Sequence, residues 1–149
     1  MKKLIFILVV LLIATAGSNS QSFSTKLYLY GGRNSEVYLG CINCERTDTN
    51  SIWKIFGRYG NTFSGLSIWS DRDPYGGFGI GYSPFDPTAK YPPMIKDKDG
   101  KSYGYLTANY RIENRAESSI ARKIVSLKRK AYNEIFWVGG RNSVELNPF

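Results

Sequence analysis

The residues able to do chemistry in this chain are few, and the set is defined first by what is missing. The sequence contains no His. That removes the Ser-His and Cys-His nucleophile pairs, the usual general base near neutrality and the commonest transition-metal ligand. Its two Cys, Cys41 and Cys44, cannot complete a zinc site alone, so we expect no metal and no cofactor. Heme attachment needs His after Cys-x-x-Cys, and Glu45 stands there. In an exported chain the pair suits a short local disulfide. A redox pair would need its first thiol at a helix N-terminus, and the same two residues could also stay free thiols or link two molecules. Paired carboxylates for glycoside cleavage could come from Asp71, Asp73 or Asp86. Acids beside Pro and Gly ordinarily form turns instead, and the balance leans away from an enzyme.

The aromatics are the better functional candidates. The chain carries 11 Tyr, 8 Phe and 3 Trp, and over residues 51–92 they keep a period of 16. Ser51-Ile52-Trp53 returns as Ser67-Ile68-Trp69 and, worn down, as Ser83-Pro84-Phe85. Tyr59, Tyr75 and Tyr91 each stand eight residues after the Ser and are followed by Gly60, Gly76 and Pro92. A fixed period implies one small unit used repeatedly, with neighbours burying each other's apolar side. Planar rings stack on sugars and anchor protein partners because they bury large area with few torsions to freeze. Tyr59, Tyr75, Tyr91, Trp53 and Trp69 are therefore the candidate ligand-binding residues. Packing of Trp53, Trp69 and Phe85 as core between copies is the competing use of the same rings.

These residues follow a leader. Lys2 and Lys3 precede an apolar run from Leu4 to Ala16, the length of a signal-peptide core and short for a membrane span, which needs about 20 residues. Cleavage before Gln21 is favoured over cleavage before Gly17, giving a signal peptide at 1–20 and one exported domain at 21–149. The expected location is periplasmic, cell-surface or secreted. The formal net charge is +8. Its excess is uneven: residues 21–107 hold 10 basic and 8 acidic groups, residues 108–149 hold 8 and 4. Such asymmetry suits an anionic surface or partner for the C-terminal part, and outside the cytoplasm no nucleic acid is expected.

The elements that position the aromatics can be read in order. Residues 27–50 hold a first hairpin, Lys26–Tyr30 returning as Glu36–Leu39 across Gly31-Gly32-Arg33-Asn34-Ser35. Residues 51–92 form the repeats, each copy expected as a short helical turn or strand with a Tyr-Gly corner. Residues 93–107 form a second hairpin about Asp97-Lys98-Asp99-Gly100. A calcium loop in that register would place Ile95 and Leu106 at its first and last ligand positions, so it is a turn. From about 115 to 136 the apolar residues Ala116, Ile120, Ile124, Leu127, Ala131 and Ile135 fall on one helix face. Arg122, Lys123, Arg129 and Lys130 lie mostly off it and are the candidate contacts for an anionic partner; Lys and Arg late in the helix suit its dipole. Val144-Glu145-Leu146 reads as a last short strand.

The string Val37 to Cys44, the Ser-Ile-Trp units with their Tyr-Gly corners, and Asp97–Gly100 with Tyr103–Thr107 resemble a group of uncharacterised bacterial proteins. Their pattern is a Cys-x-x-Cys followed by repeated Ser-Ile-Trp-Asn units. The resemblance covers about residues 27–109, with Lys54 and Ser70 in place of the Asn. It implies one continuous module and no particular activity.

The expected fold is thus α+β: a small β-rich domain with irregular 16-residue aromatic and Gly repeats and one long C-terminal amphipathic helix. The expected function is non-catalytic, an exported module binding a cell-envelope glycan or protein through the repeat aromatics. A structural protein whose basic helix face meets an anionic partner or membrane surface is the alternative, and a small Asp-dependent hydrolase is the second.

Overall fold

The structure, a computed structural model, describes residues 25–137, with side chains through Lys128. The leader, its cleavage positions and the expected strand at Val144–Leu146 lie outside the described residues. Within them the strands are β1 (Tyr28–Gly31), β2 (Val37–Cys41), β3 (Met94–Lys96) and β4 (Ser102–Tyr105), and the helix is α1 (Ser119–Trp137). The strands pair antiparallel in the order β2-β1-β3-β4. Four strands and a helix make a small α+β fold, the class that the alternation and the helical stripe predict.

Alternation along β1 explains which side is buried. Leu29 is fully buried while Tyr28 and Tyr30 are half-exposed, as a period of two requires. Leu29 lies opposite Ile95 of β3 and meets Leu39 of β2 in the same core. The β1–β2 register slips between Leu29 and Tyr30, and Gly40 takes the slip with a φ of 107°. Few residues other than Gly accept that angle. The hairpin turn closes with Glu36 N–H donating to Gly31 O and Ser35 N–H to Gly32 O, both at 3.1 Å.

Residues 42–93 leave the sheet at β2 and return as β3 beside β1. Their backbone makes isolated turns and bends, with one parallel bridge between Cys41 and Ser51. The brief helical turn or strand expected in each copy is replaced by these turns. Gly-rich sequence supplies too few consecutive helix formers, and the Ser and Asx side chains bond their own backbone instead. Ile52 and Ile68, the middle residues of the two Ser-Ile-Trp units, are fully buried in the same core as Leu29, Leu39, Ile95 and Leu106.

The helix begins at Ser119, four residues later than its apolar stripe suggests. Arg115 is held instead as a bridge to Tyr105, and Asn114 turns the chain with a φ of 55°. Ser118 then caps the helix, its hydroxyl accepting from Ala121 N–H at 3.3 Å. Ala121 and Ile124 complete the core, with Ile120 and Val125 against it. The helix ends at Trp137, one residue from the expected end, and Arg122, Lys123, Arg129 and Lys130 all lie before its last turn, which carries no basic residue. The dipole argument for those cations therefore does not apply.

Candidate functional site

The aromatic residues of 51–92 are placed by a local bond that recurs. The Ser51 hydroxyl accepts Trp53 N–H at 3.2 Å, Ser67 accepts Trp69 N–H at 3.2 Å, and Ser83 accepts Phe85 N–H at 3.3 Å. All three Ser are fully buried. A hydroxyl bonding two residues on sets a tight turn, which aims the following ring at its neighbour. Trp53 and Trp69 lie 5.4 Å apart, and Trp69 and Phe85 lie 5.7 Å apart and stacked. The indoles also spend their N–H groups inside the protein. Trp53 Nε1 donates to Ile42 O at 2.8 Å, and Trp69 Nε1 donates to Ile52 O at 2.6 Å. Half-buried rings held this way are part of the framework.

The tyrosines sit differently. The sheet glycines accept them: a Cβ on Gly40 would fall 2.7 Å from the Tyr59 Cβ, and one on Gly31 would fall 2.7 Å from the Tyr75 ring. Tyr59 meets Tyr38 edge-on at 5.1 Å, and Tyr38 in turn meets Tyr28 and Tyr30. Tyr75 meets Tyr82 at 6.2 Å, and Tyr82 meets Tyr91 at 5.9 Å. The guanidinium of Arg33 lies 5.1 Å from the centre of the Tyr91 ring and donates to its hydroxyl at 2.9 Å. Seven tyrosines thus form two contacting groups, each half-buried. No hydrogen bond to a described residue engages the hydroxyls of Tyr28, Tyr30, Tyr38, Tyr59, Tyr75 or Tyr82. Burial raises the hydroxyl pKa of Tyr38, and neighbouring Tyr59 adds to it; burial also raises Tyr75. The bond from Arg33 lowers that of Tyr91.

The carboxylates named from sequence are separately engaged. Asp71 pairs with Lys128 at 2.8 Å. Asp73 accepts from the Ser70 hydroxyl at 2.6 Å. Asp86, almost fully buried, accepts from Gly79 N–H, Thr88 N–H and the Thr88 hydroxyl at 2.7–2.8 Å. The Asp73 and Asp86 bonds are local turn bonds, the Asp71 pair reaches across to α1, and every buried side-chain polar atom among the described residues has a partner. Among those residues no group of three His, Cys, Asp or Glu could hold a metal ion.

Cys41 and Cys44 are joined in a disulfide, with Cα atoms 5.6 Å apart. Both are buried, and the bridge fixes the turn whose Ile42 carbonyl receives Trp53. On α1, Arg122 and Lys123 are exposed. Arg122 lies 3.7 Å from Glu117, an exposed pair worth little. The side chains of Arg129 and Lys130 lie outside the described residues.

Two residues that sequence reasoning passed over belong to these clusters. Tyr82 bridges Tyr75 and Tyr91, but its counterparts 16 and 32 residues earlier are Leu66 and Asn50, so the period carries no sign of it. Lys128 stands four residues after Ile124, in line with the apolar stripe. That placement is the available signal, masked because a Lys beside a stripe usually reaches water. Here it is mostly buried, with its ammonium 4.9 Å from the centre of the Phe85 ring. Burial lowers its pKa, against the opposing pull of Asp71. Comparison with known proteins gives no match: no family model, curated protein or solved structure is significantly similar to this chain.

Proposed function

We propose that the chain is an exported, non-catalytic binding module that recognises a cell-envelope glycan or protein through aromatic rings. In this reading residues 51–92 are three copies of one 16-residue unit. The indoles serve as the internal ladder, and the tyrosines with Arg33 serve as the contact surface. The observation that carries it is the pair of tyrosine groups, half-buried and in ring contact within each group, with six hydroxyls that make no hydrogen bond to a described residue. Rings fixed on one side and wet on the other lose little freedom on binding, while their hydroxyls supply polar contacts. The recurring Ser bonds and ring spacings support the repeat reading. The absence of His supports the non-catalytic one. Export rests on the leader.

Calorimetric titration of soluble cell-wall glycan fragments tests the proposal. Binding by the wild type, weakened about tenfold by Tyr82→Ala or Arg33→Ala, is the expected result. Binding that those substitutions leave unchanged would remove the tyrosine groups from the site.

A further inference from the structure

The loop Lys54-Ile55-Phe56-Gly57-Arg58 carries two large apolar side chains that the fold does not use. Phe56 is 93% exposed and Ile55 67%. Phe63, 84% exposed, belongs to the same corner. Asn61 N–H donates to Gly57 O, and the Ser64 hydroxyl bonds Arg58 O, tying the two tips together. Single exposed apolar residues are ordinary, but adjacent ones at a loop tip signal a partner. The framework does not demand them: sixteen residues on, Ile55-Phe56 is matched by Asp71-Arg72, and again by Pro87-Thr88.

Charge indicates the kind of partner. Lys54 and Arg58 flank the apolar tip, and neither forms a salt bridge with a described residue. Lys54 donates to the Thr47 carbonyl at 3.3 Å, and its charge also acts on Asp48, a carboxylate already paired with Lys26. Near Phe63 the acids are Asp71, already paired with Lys128, and Asp73, already bonded by Ser70. An apolar tip between cations that form no salt bridge with a described residue matches a bilayer with anionic headgroups: rings enter the acyl boundary while ammonium and guanidinium stay among phosphates. A protein groove would reward the rings but gives no reason for cations on both sides.

We propose that residues 54–58, with Phe63, dock the protein on an anionic lipid bilayer. This surface is distinct from the tyrosine groups and does not depend on what they bind. It also differs from the exposed cations of α1.

The test is co-sedimentation of the exported chain, purified from its compartment and with its N-terminus checked by mass spectrometry. The probes are neutral phosphatidylcholine vesicles and vesicles containing phosphatidylglycerol. The wild type should bind the anionic vesicles and leave the neutral ones. Phe56→Ser/Phe63→Ser should lower the partition coefficient about tenfold or more. Lys54→Gln/Arg58→Gln should lower it roughly tenfold. Both variants change exposed side chains, and unchanged melting temperatures would show that they fold. No binding by the wild type would overturn the proposal. So would binding that survives Phe56→Ser/Phe63→Ser but is lost in Arg122→Gln/Lys123→Gln, which would make α1 the membrane contact.

Discussion

Lys128 stands where the Phe85 ring has no hydrogen to give. Sixteen residues earlier, Trp69 Nε1 donates to Ile52 O at 2.6 Å. The equivalent acceptor for Phe85 is Ile68 O, and a phenyl ring cannot serve it. The Lys128 ammonium lies 3.5 Å from that oxygen and 2.9 Å from Gly76 O, over the Phe85 ring and paired with Asp71. One long side chain from α1 thus supplies the donor that the third ring lacks, and fastens the helix to the ladder.

Lys128→Met should therefore destabilise the protein by about 2 kcal/mol, since it keeps a stem but leaves two carbonyls without their donor. Phe85→Trp in that background should recover part of the loss through a new indole donor. A double-mutant cycle by urea unfolding should show coupling of about 1 kcal/mol between the two sites. Simple additivity would mean that Lys128 acts independently of the ring.

Close backbone approach makes two glycines unequal. A Cβ on Gly76 would overlap the carbonyl oxygen of Ser70, whereas one on Gly79 would meet nothing within 4 Å. Gly76→Ala should cost about 3 kcal/mol or more. Gly79→Ala should cost only about 1 kcal/mol, from its φ of 82°. Chemical denaturation of the two variants reads the difference directly.

Acid should expose the turn carboxylates. Burial presses the Asp86 carboxyl upward, but the bonds from the Thr88 hydroxyl, Thr88 N–H and Gly79 N–H outweigh it and hold the pKa below its ordinary 3.8. A folded value below the unfolded one adds stability that is present above about pH 3.8 and lost as pH falls through the folded value. Asp86→Asn should flatten the fall of the melting temperature in that acid range. A profile identical to wild type would show that Asp86 contributes nothing there.

Alkali acts on Tyr38 with the opposite sign. Burial and Tyr59 hold its hydroxyl above the ordinary 10, so its contribution is intact below pH 10 and is lost as pH climbs beyond it. Tyr38→Phe should soften the alkaline loss of stability. Phenolate absorbance should lose a late-titrating group in that variant.

Much of the fold was legible because it follows local chemistry. Strand formers around Gly31–Ser35 and the Asp97–Gly100 turn located both hairpins, and the stripe through Ile120 and Ile124 located the helix face. The pairing of β3 with β1 was not legible: it joins Ile95 to Leu29 across a long excursion, and no local pattern encodes that partner. The helix start was also displaced, because the bridge between Arg115 and Tyr105 is a tertiary contact. At the candidate site, Tyr59, Tyr75 and Tyr91 stood out by spacing. Their seats on Gly40 and Gly31, the bridging Tyr82 and the inward turn of Lys128 depend on where separate segments meet, which a period of 16 does not carry.

The central claim divides the aromatics into an internal indole ladder and a tyrosine contact surface. The most direct measurement follows NMR signals of the exported chain while soluble peptidoglycan fragments are added. The account predicts the largest shifts at Arg33, Tyr82 and Tyr91, with the indole N–H signals of Trp53 and Trp69 almost unmoved. Largest shifts at the indoles, or none anywhere with peptidoglycan fragments in large excess, would contradict it.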